Sequence, residues 1–98
     1  MANRHYFIGV YNHHDRSRGA IVRLSTVTDF AARTEEAQSF ADRAARFACG
    51  FHCETVADLL GIPTPGNLPT FADELAALSK ALGERVVVES VQVVVAAP

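Results

Sequence analysis

Residues 5–27 read "HYFIGVYNHHDRSRGAIVRLSTV", and the fold turns on how this stretch divides. Residues 5–11 alternate with the period of a strand: Tyr6, Ile8 and Val10 share one face, and His5, Phe7, Gly9 and Tyr11 the other. Residues 20–27 do the same, with Val22 and Leu24 opposed to Ile21, Arg23, Ser25 and Val27. Between them residues 12–19, "NHHDRSRG", are rich in turn formers, so the pair is predicted to close as a hairpin with a longish, exposed tip.

Downstream the period changes from 2 to 3.6. Thr34 is a good N-cap with Glu35 and Glu36 in the first turn, where the helix dipole favours carboxylates; Asp29 is the competing start. Ala37, Phe40, Ala41, Ala44, Phe47, Ala48 and Phe51 then form one apolar stripe. Past Gly50 the stripe moves to Cys49, Cys53, Val56 and Leu60, which predicts a break, kink or bulge between Ala48 and Cys53 or a second packing neighbour. "GIPTPGNLPT", residues 61–70, holds three prolines and two glycines and is a connector. Thr70 with Asp73 and Glu74 resembles a capping box, Phe71, Leu75, Leu78 and Leu82 make a second helical stripe, and Gly83 stops it. Residues 86–97, "VVVESVQVVVAA", carry seven of the eleven valines and predict a strand buried on both faces.

The order strand, strand, helix, helix, strand defines a two-layer α+β domain over residues 1–98, a three-stranded sheet with two helices on one face. One helical layer covers one side of a sheet, yet the first and last strands offer apolar residues to both. A second copy of the chain is the expected cover, giving a homodimer. Composition points the same way, since 16 alanines and 11 valines make up much of the 49% hydrophobic content and leave a thin core. A formal charge of -2 argues against nucleic acid as the primary ligand, and no apolar run approaches the roughly 20 residues that span a bilayer. Two cysteines without a signal peptide point to a reducing cytoplasm.

Three clusters are candidate sites. Cys49, His52 and Cys53 fall near one side of an ideal helix and could converge on zinc, but the spacing is not that of a zinc finger, and a fourth ligand would have to come from His5, His13 or His14. The expected reading is that both cysteines are small buried hydrophobes beside Val56 and Leu60, with no metal or other cofactor, and the metal set is the fallback. The hairpin tip carries His13, His14, Arg16 and Arg18, flanked by Arg23 and Arg33, a set suited to the carboxylates of a protein partner or to phosphates. Glu89 sits inside the valine strand, and His5 shares its face if the first and last strands pair. The chain carries no phosphate-cradling glycine loop, nucleophile elbow or dinucleotide fingerprint.

The segment "TEEAQSFADRAARF", residues 34–47, resembles the helix of HicB-type antitoxins, with alanines spaced as Ala37, Ala41 and Ala44 are. The preceding hairpin, the Gly-x-Pro-x-Pro segment "GIPTP" and the closing valine strand resemble that family too. The resemblance implies a dimer that occludes a small protein partner such as a toxin nuclease. The expected function is therefore a non-enzymatic, homodimeric interaction module, antitoxin-like or inhibitor-like. A phage-type anti-CRISPR inhibitor of a nuclease complex and a small metal-dependent enzyme are the alternatives.

Overall fold

A computed structural model describes residues 4–64 and 69–96. Strands β1 (His5–Asn12), β2 (Arg18–Thr26) and β3 (Val87–Val95) form one antiparallel sheet in the order β1-β2-β3. Helices α1 (Asp29–Ala32), α2 (Glu35–Phe51), α3 (Val56–Leu60) and α4 (Phe71–Leu82) lie between β2 and β3 in the chain, and the helical layer sits on one face of the sheet. The expected α+β architecture is present, with two single-turn helices added to the two long ones.

Each helix starts on a threonine. Thr28, Thr34, Thr55 and Thr70 are the N-caps, and each side-chain oxygen accepts from the backbone N–H three residues on. A cap of this kind is worth about 1 kcal/mol. Both starts read from the sequence are therefore used: Asp29 opens the short α1 behind Thr28, and Thr34 opens α2. The stripe shift after Gly50 marks a real discontinuity. It falls at His52, which adopts the left-handed conformation (φ 49°, ψ 55°) as the C-cap of α2, while Gly50 is exposed and regularly helical.

The core is built from close approach. Ala37, Ala41, Ala44, Ala45 and Ala48 of α2 are all fully buried, and the helix lies directly on β1 and β2. A β-carbon at Gly9 would stand 2.0 Å from the Ala41 carbonyl oxygen, so the strand tolerates only glycine where the helix crosses it. Phe71, at the start of α4, is fully buried and meets Phe40 and Phe47 edge-on at centroid distances of 5.6 and 5.1 Å. Such pairs add roughly 1 kcal/mol to burial. The connector closes through an isolated bridge from Pro63 to Thr70; its residues 65–68 lie outside the described residues.

Two expectations are corrected. The strands run further into the hairpin than residues 11 and 20: Asn12 pairs with Gly19, and the His13 N–H donates to the Arg18 carbonyl at 2.9 Å, so the tip is a short turn rather than an eight-residue loop. The closing strand is an edge strand and is not buried on both faces. Val88 is buried and Val91 and Val93 are half-buried on the helical side, while Val94 and Val95 are exposed.

Candidate interaction surface

The pleat decides which residues reach the uncovered face. Tyr6, Ile8 and Val10 of β1, Ile21 and Arg23 of β2, and Ser90, Gln92 and Val94 of β3 point away from the helices. In register, Val10, Ile21 and Gln92 form one cross-strand row, and Ile8, Arg23 and Ser90 form the next. Tyr6 is 53% exposed, Ile8 58%, Val10 50%, Ile21 44% and Val94 68%. An apolar depression of about 240 Å³ opens toward the hairpin end of this face, lined by Val10, Ile21, Gln92 and Val94 among others. Full burial of a Val or Ile side chain stabilises by about 1.5–3 kcal/mol, so these five half-exposed side chains leave about 5 kcal/mol unrealised.

Arg23 is the charged residue at the centre of this face. Its guanidinium carbon lies 4.0 Å from the Tyr6 ring centroid, a cation–π contact within this face. The other predicted contact residues are divided along the strands. His13, His14 and Arg16 form the hairpin turn and Arg18 starts β2 beside it. Arg33 follows α1 at the far end of β2, about 25 Å away at the rise of a strand, and pairs with Asp29 at 2.9 Å. The tip and Arg23 share the sheet; Arg33 is apart from them.

The tip is braced from within. The Asp15 carboxylate accepts from the Ser17 hydroxyl at 2.6 Å and the Ser17 N–H at 2.9 Å, and these bonds hold its pKa below the ordinary value. The Tyr11 hydroxyl and His13 Nδ1 lie 3.0 Å apart, and the His13 and His14 rings are 4.3 Å apart. Arg16 takes a left-handed φ of 61°, a position that favours glycine or asparagine.

The cysteine cluster comes apart. Cys49 and Cys53 are buried free thiols, whereas His52 is exposed at the helix end. Burial, then the charge of Asp58, pushes the Cys53 thiol up, away from the thiolate a metal requires. Among the described residues no three His, Cys, Asp or Glu side chains gather to hold a metal. Both thiols belong to the core with Leu59 and Ile62.

Glu89 does not meet His5, because β2 separates their strands. A bulge opposite Arg23 and Leu24 turns its carboxylate toward Ser25, whose hydroxyl donates to it at 2.6 Å. Arg4 completes the network, donating to the Ser25 hydroxyl at 2.6 Å and to the Ser25 and Arg85 carbonyls at 3.0 Å. This is a structural clasp at the end of the sheet. Its only sequence signal was a charge inside a valine run.

Arg43 pairs with Glu74 at 2.6 Å and ties α2 to α4; Asp42 and Arg46 are exposed. Among the described residues no helix is long and apolar enough to cross a membrane. No protein-family model matches the chain, and no curated protein matches it.

Proposed function

We propose that this chain is a non-enzymatic protein-interaction module that works as a homodimer and blocks a protein partner, in the manner of an antitoxin or inhibitor. The observation that carries this reading is the uncovered sheet face, with Tyr6, Ile8, Val10, Ile21 and Val94 exposed around Arg23. An apolar field with the Arg23 guanidinium at its centre and Arg16 on the turn beyond it suits a partner that presents an apolar patch edged by carboxylates. The resemblance of residues 34–47 to the HicB-type helix favours a toxin nuclease as that partner, and a nuclease complex blocked by a phage-type inhibitor fits the same chemistry.

The energetics set a condition. Losing translational and rotational freedom costs about 4–15 kcal/mol, so the roughly 5 kcal/mol left on one copy does not hold a partner alone. A dimer that offers the face twice, or a partner that also grips the tip, meets the condition.

The test is capture from the native host with tagged wild type and with Ile8→Asp, followed by an assay of the captured protein's own activity. Wild type is expected to retain a partner and suppress its activity. Ile8→Asp, on a side chain that packs no core, should keep its thermal midpoint and lose the partner. Equal capture and equal suppression by both proteins would overturn the reading.

A further inference from the structure

One outward-facing N–H on the β1 rim is capped from within the chain, whereas among the described residues none along residues 91–95 is. The His13 N–H to Arg18 carbonyl bond (2.9 Å) and the Ala96 N–H to Ser17 carbonyl bond (2.8 Å) fix which backbone groups turn toward β2, since antiparallel pairs alternate. Along β1 the N–H groups of Tyr6, Ile8 and Val10 therefore face the outer rim, and that of Val10 is taken by the Asp42 carboxylate of α2 at 3.3 Å. Along β3 it is Val91, Val93 and Val95 whose backbone groups face outward, and among the described residues their N–H groups have no acceptor. Such a rim is a template for another strand. Residues 91–95, "VQVVV", contain none of the lysines, prolines or bulges that blunt an edge, and the irregularity in the β2–β3 register lies upstream, beside Glu89. A groove of about 460 Å³ runs beside this rim, between β3 and the turn at His52, Cys53 and Glu54.

We propose that β3 pairs antiparallel with β3 of a second copy about a two-fold axis at Val93, making one continuous six-stranded sheet. This rests on the homodimer reading above and assigns the surface that forms the dimer. The axis sets Val93 against Val93 and Val91 against Val95 of the second copy, all residues whose backbone groups face the rim, so both partners of every pair exchange hydrogen bonds. Charge does not oppose a second copy, and the two-fold sets every rim-facing residue of one copy against a rim-facing residue of the other. Glu89 is the one charge on β3 and falls outside the paired five residues, so no like charges meet. The side chains of Val91, Val93 and Val95 lie on the helical side, where those of the second copy cover the groove beside Cys53. The two uncovered faces then lie on the same side of a single sheet and adjoin through Val94. This supplies the doubled face that the energetics of partner binding require.

Light scattering on the full chain between about 1 and 100 µM, together with amide exchange on the same samples, tests the pairing. Wild type is expected at twice 10.6 kDa, with exchange at Val91, Val93 and Val95 slowed at least about 100-fold relative to a free edge. Val93→Pro removes an N–H that bonds to nothing within the chain, so the monomer tolerates it while the dimer Kd rises at least about 100-fold. Val95→Pro, one pair further out, does the same should Val93→Pro disturb the fold. Ile8→Asp should remain dimeric. A dimer that survives both proline variants, with fast exchange at the three amides, overturns the β3 pairing and leaves the homodimer reading standing. A wild-type monomer at 100 µM with fast exchange overturns both. Protection of the three amides in a monomer only after a partner protein is added shows the rim taking a foreign strand, and that also overturns the second copy.

Discussion

Replacing Gly9 by alanine tests how the alanine face of α2 makes the core. The new β-carbon would lie 2.0 Å from the Ala41 carbonyl oxygen, 2.2 Å from its carbonyl carbon and 2.8 Å from its β-carbon. These are mostly backbone atoms, so no rotamer change relieves the clash, and α2 must retreat by about 1 Å merely to bring the nearest atom to the tightest approach a β-carbon makes. A gap of that size forfeits up to about half of each atom-pair attraction. With roughly fifty pairs along the row of buried alanines at about 0.15 kcal/mol each, losing about 40% of each gives about 3 kcal/mol. For a domain of this size that lowers the thermal midpoint by about 12–24 °C, at about 4–8 °C per kcal/mol. Thermal unfolding followed by circular dichroism, with a urea midpoint as cross-check, measures it. Adding Ala41→Gly should rescue little, since it removes the β-carbon and keeps the two nearer backbone atoms. A drop of less than about 3 °C, or full rescue by Ala41→Gly, refutes the close-approach argument.

Gly50 gives the opposite sign: it is exposed in the last turns of α2 with open space where a β-carbon would go, so Gly50→Ala should stabilise by about 0.5–1 kcal/mol in urea titrations. Replacing Cys49 and Cys53 by alanine should cost on the order of 1 kcal/mol each through lost packing, and a chelator should leave the wild-type thermal midpoint unchanged. Desolvation raises the Glu84 pKa, but the bonds it accepts from the Thr28 N–H, the Thr28 hydroxyl and the Val27 N–H outweigh this and hold it below the ordinary value, with Arg4 adding to the effect. Its folded pKa is depressed, so its stabilisation is present above the unfolded value and is lost as pH falls through the folded one. Wild type should therefore lose more stability than Glu84→Gln between about pH 5 and pH 3, read from midpoints across that range. Charge reversal of Arg16 and Arg18 to glutamate should leave the thermal midpoint in place and weaken partner capture, as expected of exposed side chains at the hairpin end.

Alternation, threonine caps and proline punctuation made most of this fold legible, because those signals are local. Thr34 and Thr70 marked α2 and α4, and the shifted stripe marked the break now seen at His52. Strand order was not legible, because it depends on pairing across the chain. That is why Glu89 was set against His5 rather than Ser25 and Arg4, which lie 64 and 85 residues from it. The valine run misled for a related reason: its period suits a central strand, yet β3 ends at a rim with nothing beyond it among the described residues. Gly9 was visible as a glycine inside a strand, but its meaning needed the partner Ala41, and only the spacing of alanines in α2 hinted at it. The uncovered face was inferable before any coordinates, since one layer of helices cannot cover two sides of a sheet.

The most direct test of the account is calorimetric titration of the captured partner with wild type and with Ile8→Asp over a range of temperatures. Binding through the apolar sheet face predicts a clearly negative heat-capacity change and little dependence on salt, and a Kd raised at least about 100-fold by Ile8→Asp. Wild-type affinity in Ile8→Asp, with a heat-capacity change near zero and binding abolished by salt, would place the contact on the arginines of the tip and contradict the claim that the uncovered face carries the function.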